Sequence, residues 1–433
     1  MPGLVPGILA FFAAKQGVDG RDKPGHDDLQ FHARRKSSKL TPMNFDFTDE
    51  QKLFADSVRR FAQAHLEKDA LKRAHEPRFP FDVARLMSQQ GLMGITIPEA
   101  DGGQGGSLTD AVIAIEQTAA VCPRSADVVQ FGNFGPIRTF AEYGTDYQKK
   151  KWLSECLAGN AVISLGMSEP DAGSAATDLK TSAKPDGKSY LVNGTKVFST
   201  FSPEAAVFLV YVRYGPGVGG IGSVLIERGT PGFSVGPPQE FMSGEQWSEL
   251  HFENCRIPAE NVLLGPGGFK KQMASFNVER LGNTARSLAF GRYCYERARE
   301  HAGVRRQFGR PLAEFQGLQW KFADMAIKLE GAQLLLYRAA ANADKGLPSA
   351  YETAVAKAAC NQVGFEVAHE AVQIMGAAGY SKSSLVEYCM RRCRGWMIAG
   401  GSIEMLKNRI AEHVLDRRFD QRPPKPKSSE AAE

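Results

Sequence analysis

The spacing of hydrophobic residues along the chain changes twice. Residues 47–156 carry apolar side chains at helical spacing, as in LTDAVIAIEQTAAVC, with breaks at IPEADGGQGG and GNFGP. Residues 161–264 contain short apolar segments such as AAVFLVYVRY, separated by glycine, proline and Asn-Gly, a pattern typical of strands and tight turns. Helical spacing returns over residues 269–415. The pattern therefore predicts an α+β protein with a helical domain, a β domain and a second helical domain.

Local signals predict where two helices begin. Thr48 is a candidate N-cap for a first helix whose apolar side includes Leu53, Val58 and Phe61. Ser402 is the candidate N-cap of the last helix, with Met405, Ile410 and Val414 as its apolar positions. A long three-four spacing through residues 315–336 is typical of a helical bundle.

These patterns divide the chain into five segments. We predict a disordered leader (1–42), an N-terminal helical domain (43–158), a central β domain (159–264), a C-terminal four-helix-bundle-like domain (265–417) and a disordered tail (418–433). The leader lacks the basic start and uninterrupted apolar run of a secretion signal, and Met43 is a candidate for the true start.

Composition narrows the class of function. Seven Lys/Arg against four Asp in residues 1–42 account for three of the five net positive charges, so the body of the chain shows no nucleic-acid footprint. Seven scattered cysteines argue against a disulfide framework and favour a reducing cytoplasm. Their spacing predicts no metal site. No apolar stretch approaches the ~20 residues that span a bilayer.

One glycine motif is predicted to be structural. Residues 217–222, GVGGIG, match the dinucleotide pattern GxGxxG but join two strand-like segments and open no helix. Phosphate binding by that motif requires a helix N-terminus, so we interpret this stretch as a hairpin loop.

Four stretches occur together in one order along the chain. They are GMSEPDAGSAATDLKTSA (166–183), VNGTKVFST (192–200), RRQFGRPLAEFQ (305–316) and QIMGAAGY (373–380). In sequence and order they resemble the acyl-CoA dehydrogenase family, flavoenzymes that desaturate acyl thioesters between the α and β carbons. The likeness covers roughly residues 47–415.

The resemblance implies an FAD site. Its positions in the β domain are Met167, Ser168, Phe198 and Thr200, with Phe198 against the flavin and Thr200 near N5. Ser174 matches the position that contacts the phosphopantetheine arm of coenzyme A. On pattern alone, Phe198 is a strand residue facing a core and Ser174 an ordinary turn serine. The family's following Asn-Gly is here Phe201-Ser202.

Other family positions are implied to reach the FAD of a neighbouring subunit in a homodimer or homotetramer. A guanidinium beside an apolar anchor in RRQFG suits a diphosphate, although a solvated helix end is the plain alternative for the arginine. Ser402 and Glu404 also fall on cofactor positions. The remaining positions are Arg305, Gln307, Phe308, Gln316, Gln373 and Gly376.

The usual catalytic carboxylate of the family is missing. Its Glu-Gly-Thr-Ser-Glu-Ile stretch falls on residues 400–405, so Gly400 replaces the glutamate and keeps only a backbone N–H for the thioester carbonyl. Isovaleryl-CoA and long-chain dehydrogenases place the base in a Glu-Arg pair near the start of the third domain. Glu279 and Arg280 occupy that place, although a lone glutamate on a helix surface is a common alternative.

The predicted function is FAD-dependent α,β-dehydrogenation of an acyl-CoA or carrier-bound acyl thioester. Glu279 is the predicted base, Arg280 its electrostatic and substrate-binding partner, and Gly400 the carbonyl donor. The expected electron acceptor is a protein such as an electron-transfer flavoprotein. Two alternatives stay open: a flavin-dependent monooxygenase on the same fold, and a non-catalytic FAD-containing binding protein.

Overall fold

A computed structural model describes residues 46–343 and 347–422. The predictions about the leader (1–42), about Met43 and about residues 423–433 of the tail lie outside the described residues. Residues 418–422 form neither helix nor strand.

The first helical region surrounds a core of buried aliphatic and aromatic side chains. Thr48 caps the first helix as predicted: its Oγ1 accepts from the Gln51 N–H at 3.2 Å, and Gln51 Oε1 accepts from the Thr48 N–H at 3.1 Å. Val58 and Phe61 are buried, but Leu53 is 66% exposed, so its assignment to the apolar side was wrong. The helices are α1 (Asp49–His65), α2 (Ala70–Ala74), α3 (Phe81–Ser88), α4 (Leu108–Ala119), α5 (Ala126–Asn133), α6 (Pro136–Tyr143), α7 (Asp146–Gln148) and α8 (Ser154–Leu157).

A mixed sheet follows in the chain. Its strands are β1 (Ile163–Gly166), β2 (Ser182–Asp186), β3 (Ser189–Thr200), β4 (Val207–Arg213), β5 (Ile221–Glu227), β6 (Phe233–Val235), β7 (Gln239–Glu240), β8 (Gln246–Pro258) and β9 (Val262–Leu264). The strand order is β6-β8-β3-β2-β4-β5-β9, with β1 parallel to β4 and β7 beside β8. The GVGGIG stretch joins the antiparallel pair β4–β5, as predicted for a hairpin loop.

Strand β3 is irregular at two points, and one of them corrects a prediction. The Asn193–Gly194 pair does not form a tight turn between strands; it lies inside β3, where the register to β8 shifts. Gly194 has φ +145°, and a Cβ there would lie 2.5 Å from Thr181 Oγ1, so close packing requires glycine. A second shift lies between Lys196 and Ser199.

The chain ends in long helices that pack side by side. Helices α9 (Phe269–Val304) and α11 (Ala350–Met375) share a hydrogen bond of 2.8 Å from Asn361 Nδ2 to Asn283 Oδ1. A short hairpin, β10 (Arg306–Gln307) and β11 (Arg310–Pro311), follows α9. The other helices are α10 (Gln316–Ala343), α12 (Ala377–Tyr380), α13 (Leu385–Trp396) and α14 (Ile403–Val414).

The last helix has its predicted cap but a different buried face. Ser402 Oγ accepts from the Met405 N–H at 3.4 Å. Ile403 and Leu406 are the buried residues of α14, whereas Val414 is 63% exposed.

Across both described ranges, no helix has the length and apolar character needed to cross a membrane.

Candidate active site

Glu279 lies where α9 meets the junction of α5 and α6. Its Oε2 accepts a hydrogen bond of 3.0 Å from Gln130 Nε2, and a Cβ on Gly135 would lie 3.0 Å from the same oxygen. Burial raises the pKa of Glu279, and the charges of Arg286 and Lys357 and the bond from Gln130 offset only part of that shift. Glu279 is therefore not the surface glutamate of the plain alternative, and its pKa has moved toward the range of a general base.

Arg280 joins the same helix to the glycine turn. Its Nε donates to the Gly400 carbonyl at 2.9 Å, and its Nη1 donates to Asn277 Oδ1 at 2.9 Å. Burial lowers the pKa of Arg280 to about 10, with a further lowering by Arg409 and an opposing effect of Tyr211. The structure thus brings Arg280 to Gly400 and holds its cation partly away from water.

The turn at Gly400 has a backbone conformation that side chains rarely adopt. Gly400 and Gly401 have φ of +75° and +96°. The Gly400 carbonyl accepts a hydrogen bond from Arg280. Within residues 46–343 and 347–422, the Gly400 N–H donates to no acceptor. A Cβ on Gly400 would lie 3.2 Å from Lys357 Cε. The turn therefore offers a free backbone donor in a conformation that disfavours any side chain at Gly400.

The predicted flavin positions of the β domain meet at the second irregularity of β3. The Val197 N–H donates to the Ser168 carbonyl at 2.9 Å, and Lys196 Nζ donates to the Met167 carbonyl at 3.2 Å. Thr200 ends the same strand and pairs with β8. These bonds hold the Met167–Ser168 loop against β3.

Phe198 stands out from the sheet at this irregularity. It has φ +58° and is 58% exposed, so the alternative of a core-facing strand residue does not hold. Its ring lies 4.6 Å from that of Trp247, which lies 5.8 Å from that of Phe241.

An exposed aromatic face of this kind fits a flat ring such as isoalloxazine. Gly376 is consistent with the same cofactor, because a Cβ there would meet nothing within 4 Å and the backbone stays open to contact.

Phe201 and Ser202, which replace the Asn-Gly of the family, take part in the packing between domains. Phe201 is fully buried with its ring 5.3 Å from Phe79 and 5.1 Å from Phe131. Ser202 Oγ accepts from the Ser248 N–H at 2.8 Å. Since Phe131 neighbours Gln130, this packing links the end of β3 to the residue that bonds Glu279.

The other predicted cofactor positions are exposed. Phe308, in the β10–β11 hairpin, has φ +49° and is 94% exposed. Lys328 Nζ bonds Glu366 Oε2 at 2.7 Å and Lys321 bonds Glu370, so the start of α10 lies beside the end of α11. The exposed residues at this end of the bundle and in the hairpin are Arg305, Gln307, Gln316, Gln373 and Gly376.

Three further predicted residues lie elsewhere. Ser174 is exposed in the loop after Glu169, Ser402 uses its hydroxyl as the cap of α14, and Glu404 is exposed in the first turn of that helix.

Sequence reasoning missed three buried polar residues that support these positions. Gln130 bonds Glu279, Lys357 lies under the glycine turn, and Glu169 accepts from Lys196 Nζ at 2.7 Å and from the Thr181 N–H at 2.9 Å. A lysine within the apolar run AVAKAAC was a usable signal for Lys357. Gln130 carried none, because its partner is 149 residues away.

Comparison with family models covers nearly all of the described chain. A model described as "Acyl-CoA dehydrogenase, N-terminal domain" matches residues 48–160, its middle-domain counterpart matches residues 164–255, and its C-terminal-domain counterpart matches residues 266–415. The three matches confirm the predicted fold class.

Individual relatives match over their whole length. The chain is 33% identical over 378 residues to the short-chain-specific acyl-CoA dehydrogenase of Clostridium acetobutylicum, a match covering 86% of this chain and 100% of the relative. It is 32% identical over 386 residues to the 3-sulfinopropanoyl-CoA desulfinase of Paraburkholderia xenovorans, covering 87% and 99%. The solved butyryl-CoA dehydrogenase of Megasphaera elsdenii superimposes with a TM-score of 0.80 at 30% identity, covering 86% and 100%.

Proposed function

The chain belongs to the acyl-CoA dehydrogenase family, and from that premise we propose that Glu279 is the base with which it dehydrogenates acyl thioesters. Members of this family are FAD-dependent oxidoreductases, so the predicted enzyme class and cofactor are confirmed. When bound, FAD supplies the acceptor for the hydride that leaves the β carbon. We assign its ring to the aromatic face around Phe198, beside Met167, Ser168 and Thr200.

The residues of the chain supply the other half of the reaction. Glu279 takes the α proton, and the negative charge that develops on the thioester oxygen is stabilised by the free N–H of Gly400. Arg280 contributes positive charge beside that oxygen and keeps Gly400 in place through its carbonyl. Ser174 is proposed to contact the pantetheine arm of the substrate.

One observation carries this assignment: Glu279 is half-buried and lies next to Arg280, the arginine that holds the turn. Its carboxylate has an amide partner, Gln130, instead of a salt bridge, so the proton affinity raised by burial is retained. Gly400 has no carboxylate, and its φ of +75° strains any side chain placed there. Because Gly400 brings no carboxylate, the carboxylate of Glu279, next to the arginine that bonds the turn, is the candidate base.

Substitution of Glu279 by glutamine tests the base. Glu279→Gln keeps the size and hydrogen bonding but cannot accept the proton, so the rate of anaerobic flavin reduction should fall by at least ~10²-fold. Stopped-flow absorbance with a panel of straight, branched and acid-terminated acyl-CoA substrates measures that rate. FAD content should not change.

The control for this test is Glu300→Gln, an exposed carboxylate on the same helix. It should reduce its flavin at the wild-type rate. Reduction of Glu279→Gln at that rate would exclude Glu279 as the base, whereas a wild-type flavin that only an external reductant reduces would favour a monooxygenase.

A second activity deserves a place in the panel, because one full-length relative is named as a 3-sulfinopropanoyl-CoA desulfinase. Release of sulfite from 3-sulfinopropanoyl-CoA, unaffected by Glu279→Gln, would assign the chain to that reaction. Loss of dehydrogenation in Glu279→Gln would instead support Glu279 as the base of a dehydrogenase.

We also propose the setting in which the enzyme works. The exposed residues Arg305, Gln307 and Phe308 fit a partner subunit's FAD in a homodimer or homotetramer, which sedimentation of the FAD-bound protein would test. We propose that an electron-transfer flavoprotein accepts the electrons from the reduced enzyme. Seven free, buried cysteines suit the reducing cytoplasm.

A further inference from the structure

Lys357 is a charged residue with no exposure to solvent. It lies on α11, and its Nζ donates to the Trp396 carbonyl at 2.9 Å and to the Gly401 carbonyl at 3.4 Å. Asn361, one turn further along α11, donates to the same Trp396 carbonyl at 2.7 Å. A buried ammonium must be compensated by acceptors, and here the acceptors are the two ends of the segment that carries Gly400.

These contacts add to the backbone bonds of the turn, across which the Ile403 N–H donates to the Met397 carbonyl at 3.1 Å. Gly400 and Gly401 both adopt positive φ, and neither has a side chain to pack. Lys357 Cε lies 3.2 Å from the position of a Cβ on Gly400, so the lysine stem lies directly beneath the turn. Arg280 holds the Gly400 carbonyl from α9. Two cations on two helices, together with these backbone bonds, therefore hold the peptide groups around the free Gly400 N–H.

The charge of Lys357 also acts on Glu279. Burial and the charge of Arg280 together lower the pKa of Lys357 to about 7, against an opposing effect of Glu279. In return, Lys357 and Arg286 both lower the pKa of Glu279. The charged groups facing this pair are Arg280 and Arg286 from α9, with Arg409 of α14 acting on Arg280.

We propose that Lys357 is a positioning residue for the reaction. Its ammonium holds the Trp396 and Gly401 carbonyls so that the Gly400 N–H meets the thioester oxygen, and its charge favours the ionised form of Glu279. This inference rests on the proposed roles of Glu279 and Gly400.

Lys357→Met in the FAD-loaded full chain is the first test. Methionine keeps the length of the stem but donates no hydrogen bond, so the flavin reduction rate should fall by about 10–100-fold through misplacement of the donor. The acid limb of the rate against pH should move to higher pH, because below about pH 7 Glu279 loses a neighbouring positive charge. FAD content should stay unchanged.

A second measurement separates the lysine from the base. In the Glu279→Gln background, which binds without turnover, the dissociation constant of the best thioester of the panel is compared with and without Lys357→Met. Weaker binding in the double variant, by about tenfold, supports the positioning role. An unchanged dissociation constant together with an unchanged rate and acid limb in Lys357→Met overturns the inference.

Failure of the proposed base gives a different pattern. If Glu279→Gln reduces its flavin normally, the base assignment falls, and the dissociation constant of a thioester that cannot be dehydrogenated, measured with and without Lys357→Met, then decides whether Lys357 holds the turn. Lys357→Gln replaces the methionine variant if that variant does not fold. Glutamine keeps a hydrogen-bond donor but has no charge. It should therefore restore thioester binding but not the position of the acid limb of the rate against pH. Lys328→Met, on the outer face of α10, is the matched control and should leave all three quantities unchanged.

Discussion

Helix α9 carries the carboxylate of Glu279 and contacts a second, that of Asp127, about two turns further along. The surroundings of the two carboxylates differ. Asp127 contacts Arg286, whereas Glu279 lies seven residues before that arginine. Asp127 accepts from Arg124 at 2.7 Å, from Arg286 at 2.7 Å and from Arg392 at 2.8 Å. We call this group, with Glu245 of the sheet domain beside Arg392, the Asp127 cluster. Among the residues that the structure describes, the hydrogen-bond partner of the Glu279 carboxylate is the amide of Gln130.

The pKa values of the two carboxylates therefore shift in opposite directions. Burial alone would raise the pKa of Asp127, but the charges of Arg392, Arg286 and Arg124 outweigh it and hold that pKa far below its usual range. At Glu279 the opposing groups are too weak, and the pKa is raised. A buried carboxylate surrounded by arginines is locked as an anion and joins domains. One left with an amide can exchange a proton, as catalysis requires.

Asp127→Asn should show the largest effect on stability. It removes the anion that three buried guanidinium groups share, and breaking a buried pair from one side costs about 3–5 kcal/mol. Chemical denaturation of the FAD-bound protein measures the free energy of unfolding. Asp49→Asn is the control, because its pair with Lys52 is exposed and should be worth no more than about 1 kcal/mol. Equal effects of the two substitutions would show that the Asp127 cluster is not structural.

Gly400→Ala should show an intermediate effect. A side chain at φ +75° costs about 1–3 kcal/mol, and the Cβ also crowds Lys357 Cε. Gly395→Ala is the control, since it lies within α13 and its Cβ would meet nothing within 4 Å. Alanine there should be neutral or slightly stabilising. A neutral Gly400→Ala would contradict the strained turn on which the exclusion of a carboxylate depends.

The smallest effect should be a pH dependence that distinguishes the two carboxylates. Folding raises the pKa of Glu279 above 4.5, so the native state binds a proton that the unfolded chain releases, and stability from this group is lost as pH rises through the folded-state pKa. The stability of the wild type relative to Glu279→Gln should therefore fall as pH rises above 4.5.

Asp127 should give the contrasting result. Because its pKa is lowered on folding, its contribution is complete above the unfolded-state value and is lost only as pH falls below about 4. The difference between the wild type and Asp127→Asn should therefore stay constant from pH 5 to pH 8. A slope there, or a flat difference for Glu279→Gln, would contradict the comparison.

Much of the architecture followed from local pattern. The change from helical to alternating spacing predicted the helical, β and helical order, and Thr48 and Ser402 marked helix starts because capping needs only residues three apart. The residue boundaries of the domains stay a prediction. Local pattern failed at Asn193–Gly194, since a long strand can absorb a glycine when its partner strand lies beside it. It failed at Leu53 for a similar reason, because periodicity does not show which neighbours a helix face will have.

The sequence by itself determined the chemistry available: glycines at residues 400 and 401, and a Glu-Arg pair at residues 279 and 280. Only the tertiary structure decided that these residues meet, because Arg280 reaches Gly400 across 120 residues of chain. It also decided that the pKa of Asp127 is lowered and that the pKa of Glu279 is raised. Proton affinity depends on burial and on partners such as Gln130, Arg392 and Lys357, which lie far away in sequence and become neighbours only when the helices pack.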